Sequence, residues 1–381
     1  MTTAAPVQPL PVVGVGVVSS AGYGLASLAG EPDSDVVSGP ESVAGAEAYP
    51  PRPLRPVPGF RAADHLGRKG IKNLDRLAQL SLVACKQALE AAGPAAAGTD
   101  PARTGVVLAT NTGSIAGYSD LLYETLTLDK PYLINPGKFA GSVMNCSAGQ
   151  MAIRHGLKGL NATVAGGRSA GLYAFRHARL AMAAGRADEL LVGGAEELSA
   201  PAAWAWHHAG TLRETAPVGE GSAVFVVRAE ESAGEQVLAE LLACEVGFFG
   251  WTGVNRRAGL GRGLTDGLVT AIGRALERSG VAAGDVADVS LGAGDHIGLD
   301  RVEERAVRLA LGRLPDPVRV TEVLGETYSA GGAMQLAALL ARWQSSPGGG
   351  EPRIGLITSV GHDGNAGALV VRERVRPATG T

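Results

Sequence analysis

The chain has 381 residues, of which 45% are hydrophobic and 19% are charged, and its formal net charge is -3. That length is sufficient for one large domain or two fused halves, and the nearly balanced charge, without a lysine or arginine stripe, argues against a nucleic-acid partner. The three cysteines are too few and too scattered to predict disulfides or a metal site. The sequence has no apolar run long enough to span a bilayer and no basic N-terminal region. We therefore expect a cytoplasmic chain without a membrane span, a metal or a cofactor.

Short apolar segments alternate with helical patterns from the first strand onward. Helices are predicted at Ile71–Ala92, where leucines recur every third position, and at Leu172–Ala184, which Gly185 follows as a plausible stop signal. The strands are predicted from short runs that are often β-branched. These runs are Val12–Val18, Gly105–Ala109, Ala162–Ala165, Leu190–Val192 and Ala223–Val227.

The second half of the chain repeats this alternation, which predicts a parallel sheet covered by helices. The first half closes with GEGSAVFVVRAE and the second with GNAGALVVRERV, each a small-residue turn that leads into an apolar strand. We therefore predict two duplicated βα halves, 1–235 and 236–381, whose two sheets sandwich central helices. Strands are predicted at Ala239–Val246, Val286–Leu291, Val318–Val320, Ile354–Thr358 and Ala368–Arg372, and helices at Thr265–Ser279, Asp300–Leu311 and Ser329–Gln344.

The segment NATVAGGRSAGLYAFRHARLAMAAG, residues 161–185, predicts a strand, a Gly-Gly turn and a helix. The side chain at such a turn lies at a helix N-terminus, where backbone N–H groups favour an anion or a thiolate. The residues from Gly167 to Gly171 also fit G-x-S-x-G, the nucleophile elbow of α/β-hydrolases. In that alternative, Ser169 is the nucleophile of a stand-alone serine acyltransferase or hydrolase, with His362 or His296 as the base.

Across Pro11 to Arg374 the chain resembles the β-ketoacyl synthase family of the thiolase superfamily. PVVGVGVVSSAGYG is similar to the family's first strand and turn, MNCSAGQMAIRHGLKG to the stretch before the elbow, and LLVGGAEELSA and GEGSAVFVV to the stretches after it. These landmarks occur in the family's order and spacing. The resemblance implies an α/β, thiolase-like fold, a layered α-β-α-β-α sandwich that agrees with the duplicated halves.

The resemblance also implies that the principal catalytic positions are altered. The family's nucleophilic cysteine matches Arg168, its second histidine matches Glu326, and a lysine is expected where Thr321 stands. The first histidine should precede the helix that begins at Asp300, but in GAGDHIGLD His296 is too close to that residue to match comfortably. Arginine stays protonated and cannot act as a nucleophile, so the chain is expected to be non-catalytic.

Among members of this family, chain-length factors, or ketosynthase β subunits, share this property. The resemblance implies a heterodimer with a catalytic ketosynthase of a type II polyketide synthase, whose acyl tunnel enters the interface and whose substrates are acyl carrier protein thioesters. Many chain-length factors carry glutamine at the elbow, and arginine departs from that pattern. A cation at a helix N-terminus is unfavourable unless compensated, so we expect Arg168 to pair with Glu326 or with Asp295.

The remaining candidates are placed by resemblance to the tunnel and the interface. Ala116, Ser119 and Tyr123 fall on one helical face and are candidate tunnel residues, and ordinary helix packing is an equally good interpretation. Asn145 and Cys146 match the dimer interface, where Cys146 is either an activated thiol or, more often for such a residue, simply packed. His362 lies where the family has a gating loop, and without a nucleophile it is interpreted as a loop residue of the vestigial site.

Overall fold

A computed structural model describes residues 8–30, 48–93, 100–230, 233–234, 236–249, 256–346 and 351–374. Within these ranges, no helix combines the length and the apolar character that crossing a membrane requires. Position 235, the predicted end of the first half, lies outside the described residues. The predicted domain boundary therefore stays a prediction.

Strands form at all of the apolar segments that the sequence analysis identified, usually with additional residues at one or both ends. Val286–Leu291 has the predicted bounds. The strands are β1 (Leu10–Ser19), β2 (Gly22–Tyr23), β3 (Leu54–Arg55), β4 (Thr104–Ala109), β5 (Asn161–Val164), β6 (Glu189–Glu196), β7 (Val218–Gly219), β8 (Gly221–Arg228), β9 (Ala239–Phe248), β10 (Val286–Leu291), β11 (Pro317–Arg319), β12 (Ile354–Val360) and β13 (Asn365–Glu373).

The two halves repeat one strand order. In the first half the order is β5-β4-β6-β8-β1, and in the second it is β11-β10-β12-β13-β9. β4 pairs in parallel with β5 and β6, and β10 pairs in parallel with β11 and β12. β8 pairs antiparallel with β6 and β1, and β13 pairs antiparallel with β12 and β9. The two similar closing segments of the sequence are β8 and β13, so the predicted duplication is present in the topology.

The two predicted sheets are joined rather than separate. Residues 10–12 of β1 pair antiparallel with residues 239–241 of β9, which makes one continuous eleven-stranded sheet that includes β2. The prediction of two sheets was wrong in this respect. Sequence periodicity reports which face of a strand is apolar, whereas the pairing of two strand edges is decided by tertiary geometry.

Helices cover the sheet and also fill the space between its halves. The helix predicted from Ile71 begins instead at Arg76, because the Asp75 carboxylate accepts a 2.7 Å hydrogen bond from Ala78 N and caps it. The helices are α1 (Ala62–Leu66), α2 (Arg76–Ala92), α3 (Ile115–Thr127), α4 (Pro136–Phe139), α5 (Cys146–His155), α6 (Ala170–Ala183), α7 (Ala200–Ala209), α8 (Arg256–Ser279), α9 (Leu299–Leu311), α10 (Val320–Leu324) and α11 (Gly331–Ser345).

Three hydrophobic clusters arrange these elements in five layers. One cluster packs α2 and α5 against the outer face of the first half, and another packs α8 and α9 against the outer face of the second. The third contains α6 and α11 between the inner faces of both halves. A Cβ added to Gly171 of α6 would lie 3.1 Å from Ser329 O and 3.2 Å from Ala333 N, so glycine permits the close approach of the central helices. The predicted α-β-α-β-α layering is present.

Candidate functional site

The turn between β5 and α6 holds the residue at the tip of the predicted elbow. Gly167 has φ +59°, a backbone conformation that favours glycine, and a Cβ there would also lie 2.3 Å from Asp363 Oδ2, so that side chain would have to move. Asn111 Oδ1 accepts hydrogen bonds from Gly166 N at 3.3 Å and from Gly167 N at 2.9 Å. These contacts fix the turn and place Arg168 two residues before the start of α6.

The Arg168 side chain is directed into the protein and is only 7% exposed. Its Nη1 forms a salt bridge with Glu326 Oε2, and its Nη2 donates to Gly292 O. Nε donates to Val360 O at 3.2 Å. Of the two expected partners, the structure therefore places Glu326 against Arg168. The carbonyl acceptors come from the ends of β10 and β12, so the guanidinium connects the elbow to the second half of the chain.

The Glu326 carboxylate is the centre of a buried charge cluster. His296 Nε2 lies 2.7 Å from Glu326 Oε2, and Tyr328 N donates to Glu326 Oε1 at 2.6 Å. Burial would raise the pKa of Glu326, but the charges of Arg168 and His296 lower it to about 2. The carboxylate is therefore ionised at neutral pH and compensates the arginine.

His296 is fully buried beside this ion pair, although its spacing from α9 argued against a family match. Burial and the Arg168 charge lower its pKa to about 4, against the opposing effect of Glu326. His296 is therefore neutral at neutral pH; its Nε2 contacts both Glu326 Oε2 and Arg168 Nη1, and its buried Nδ1 has no hydrogen-bond partner among the described residues. Trp206 packs edge-on against the imidazole, with 5.7 Å between ring centroids.

Two further predicted residues lie at the edge of the cluster. The ring centroids of His362 and His296 are 5.6 Å apart, and burial and the Arg168 charge lower the pKa of His362. Asp295 is half-buried and forms no salt bridge with Arg168; its backbone oxygen accepts a 3.1 Å hydrogen bond from Arg213 N. Burial and the nearby Glu326 raise the pKa of Asp295. The predicted alternative of an Arg168–Asp295 pair was wrong.

Ser169, the nucleophile in the alternative hypothesis of a serine acyltransferase or hydrolase, is fully buried. Its hydroxyl lies 3.1 Å from Ser359 Oγ, and among the described residues neither His296 nor His362 is hydrogen-bonded to it. A serine nucleophile needs a base within hydrogen-bond reach and access to its substrate. The G-x-S-x-G pattern therefore does not produce a hydrolase site here. The serine hydroxyl is buried against Ser359, and it is Arg168 that lies beside His296.

A cavity of about 230 Å³ lies on the other side of Glu326. It is reachable from the surface, because Ala205 and Ala209 of α7 are exposed. The candidate tunnel residues Ala116, Ser119 and Tyr123 do not line it, and Tyr123 is 69% exposed. The cavity is lined by Asn111, Thr112, Glu196, Glu197, Ala202, Ala205, Trp206, Ala209, Val218, Gly219, Glu326, Thr327 and Tyr328.

Exposed hydrophobic side chains concentrate on one part of the chain. Of the sixteen large hydrophobic residues that are exposed among the described residues, eleven lie between positions 118 and 153. We call this set the apolar surface. Such a concentration is typical of a surface that another protein covers. Its members are Tyr118, Leu122, Tyr123, Leu126, Leu128, Tyr132, Leu133, Phe139, Val143, Met144 and Ile153.

The two predicted interface residues lie within the same segment. Asn145 is exposed, and Cys146 is half-buried at the first position of α5. Burial and the nearby Asp75 raise the pKa of the Cys146 thiol, with a hydrogen bond from Gln150 opposing them. A thiol with a raised pKa is a poor nucleophile, which supports the packed interpretation of Cys146 over the activated one.

Several site residues escaped the sequence analysis. The carbonyl groups of Gly292 and Val360 carry no side-chain signal, and they reach Arg168 only because two strands end beside the elbow. Asn111 offered a weak signal, as a polar residue two positions after the end of a buried strand. Among the described residues, no group of three or more histidine, cysteine, aspartate and glutamate side chains is arranged to hold a metal ion.

Comparisons with known proteins agree on one family. Residues 60–231 match the family model described as "Beta-ketoacyl synthase, N-terminal domain". The tetracenomycin polyketide synthase ketoacyl synthase beta subunit of Streptomyces glaucescens is 29% identical over 357 residues, which cover 87% of this chain and 85% of that protein. The solved structure of the ishigamide ketosynthase/chain length factor is 34% identical with a TM-score of 0.81, covering 97% of this chain and 100% of the other.

A more distant solved structure shares the fold alone. It is a type II polyketide synthase acyl-carrier protein in complex with its ketosynthase bound to the hexaketide. The matched chain is 19% identical with a TM-score of 0.78, and the match covers 96% of this chain and 100% of that one.

Proposed function

Because this chain belongs to the β-ketoacyl synthase family, we propose that it is the non-catalytic chain-length factor of a type II polyketide synthase. It pairs with a catalytic ketosynthase, which condenses acyl carrier protein thioesters, and it shapes the acyl tunnel at their interface. The names of the ketoacyl synthase beta subunit and of the ketosynthase/chain length factor that it resembles support this role.

The observation that carries the proposal is the environment of Arg168. A decarboxylative condensation needs a nucleophile at the elbow, and the guanidinium there stays protonated and has no lone pair to offer. Glu326 and two carbonyl groups hold it in the space that an acyl thioester would have to enter. The neutral His296 contacts that same ion pair rather than facing a vacant reaction centre. These contacts support loss of catalysis by this subunit.

The apolar surface supports an obligate protein partner. The isolated chain exposes it around α3 and the segment that leads into α5, and the adjacent strand β5 is a free edge of the described sheet. An exposed strand edge and a large apolar patch are both liabilities in a monomer. A ketosynthase that covers this side would remove both.

Condensation assays with and without the partner test the proposed function. We expect this chain to co-purify with a ketosynthase in a 1:1 ratio, and we expect condensation of acyl carrier protein thioesters by the complex only. Replacing the partner's nucleophilic cysteine should abolish the reaction, because this chain supplies no substitute. Condensation by the purified chain alone, or labelling by a serine-directed fluorophosphonate that Ser169→Ala removes, would contradict the proposal.

The assignment of Ala116, Ser119 and Tyr123 to the tunnel is part of the same proposal. Ala116 is half-buried at the start of α3, and its backbone N–H is held by Glu197. If the tunnel passes this helix, Ala116→Trp fills space and the complex makes products shorter by one or more two-carbon units. Mass spectrometry of the products measures the change. Unchanged product length at undiminished heterodimer yield would place the tunnel elsewhere.

A further inference from the structure

Glu197 is a buried carboxyl group in the wall of the 230 Å³ cavity, and the charge cluster around Arg168 does not involve it. It is 4% exposed. One oxygen accepts a 2.9 Å hydrogen bond from Ala116 N, and the other has no hydrogen-bond partner among the described residues. No salt bridge within the described ranges compensates it either. A buried polar group in this state favours any ligand that can complete its hydrogen bonding.

Burial, reinforced by nearby carboxylates, keeps Glu197 partly protonated. Burial raises its pKa to about 7; the Ala116 hydrogen bond opposes this shift, whereas the nearby Asp75, Glu196 and Glu220 add to it. Near neutral pH the group is therefore a mixture of carboxylate and carboxylic acid. The acid form has an O–H to donate into the cavity.

The other two carboxylates of the cavity are already engaged. Glu196 accepts from Asn111 N at 2.6 Å and from Thr112 Oγ1 at 2.6 Å, while Glu326 is bonded to Arg168. Much of the remaining wall is aliphatic or aromatic, and it includes three alanines of α7 and Trp206. A ligand in this cavity therefore meets a largely apolar wall in which Glu197 is a carboxyl group with an available oxygen.

We propose that Glu197 is a specificity-determining residue that makes this cavity select acyl chains carrying a keto or hydroxyl oxygen over saturated or polyene chains of the same length. This inference rests on the proposed function, since it takes the cavity as part of the acyl path. An oxygen on the chain accepts a hydrogen bond from the protonated Glu197. A hydrocarbon makes no such bond and leaves the carboxyl group unpaired, which weakens binding.

Two eight-carbon probes that cannot acylate the partner test the proposal, namely 2-octanone and 1-octene. Their affinities for the purified heterodimer are measured by calorimetry at pH 6.5, where Glu197 is mainly protonated. Glu197→Leu should weaken the affinity for 2-octanone roughly tenfold, which corresponds to the loss of one hydrogen bond. The affinity for 1-octene should stay the same or increase. Glu197→Gln, which keeps an N–H donor, should retain most of the ketone affinity.

Asp120→Asn provides the matched control, because it removes an exposed carboxylate from α3 at a position that does not line this cavity. It should change neither affinity. Equal losses for both probes in Glu197→Leu, or no loss for the ketone, would overturn the selectivity proposal. Either result in a complex that still co-purifies and condenses would leave the chain-length-factor proposal standing, so the two failures are distinguishable.

Discussion

Replacement of Glu326 by leucine is expected to destabilise the folded chain by about 3–5 kcal/mol, the largest stability effect of any single change at the site. The substitution removes the counter-charge of Arg168, which is 7% exposed and would remain buried as an uncompensated cation. His296 would lose its contact with the Glu326 carboxylate at the same time. Urea unfolding of the co-purified complex, at one fixed protein concentration, measures the change.

Removing both charges should restore most of the lost stability. In Arg168→Met combined with Glu326→Leu, apolar side chains of similar volume replace the ion pair, and such replacements of a buried pair are often neutral or stabilising. Glu322→Leu is the control, because it lies on α10 near Glu326 with a largely exposed side chain and should shift stability by no more than about 0.5 kcal/mol. Equal destabilisation of the single and double variants would contradict the ion-pair explanation.

Acid should weaken the same cluster. The folded-state pKa of Glu326 is lowered to about 2 from an ordinary value of 4.5, so its stabilising contribution is complete above 4.5 and is lost as the pH falls towards 2. The folded-state pKa of His296 is lowered to about 4 from 6.5, so protonation of the unfolded chain already favours unfolding below 6.5. Both effects reduce the free energy of unfolding as the pH falls. The double variant Arg168→Met, Glu326→Leu should lack the part of this pH dependence that comes from Glu326.

Leu126→Asp is expected to separate the chain from its ketosynthase. Leu126 is 83% exposed near the end of α3, within the apolar surface. In the proposed heterodimer the new carboxylate would be desolvated without a partner, which costs at least 2 kcal/mol and raises the Kd about thirtyfold or more. Condensation at dilute protein concentrations should fall in proportion. Pull-down yield and analytical ultracentrifugation measure the dissociation.

Leu309→Asp is the matched control, since Leu309 is also an exposed leucine, at 59%, but lies on α9 in the other half of the chain. Both variants should fold normally, because neither leucine is buried. Heterodimer formation that survives Leu126→Asp, or that is lost equally with Leu309→Asp, would contradict the placement of the interface on the apolar surface.

The elements of the fold were largely accessible from local sequence. Apolar runs of strand length gave β10 with its observed bounds and β9 within two residues of its end. The start of α2 was missed because the pattern of leucines already begins before Asp75. The Asp75 side chain caps the helix, which therefore begins only at Arg76. The short α7 was also missed, because WAWHH has no clear apolar period and the helix exposes most of its second half.

The sequence by itself determined the layered α/β fold, the duplication, the position of the elbow and the presence of arginine in it, because each depends on residue identity or on a pattern within a few tens of residues. Only the tertiary structure decided which carboxylate meets Arg168. Glu326 is 158 positions away and Asp295 is 127, and the choice follows from where the ends of separate strands and helices meet. The joining of the two sheets, the inward turn of Ser169 and the free oxygen of Glu197 have the same origin. They depend on contacts between distant segments, which local periodicity does not encode.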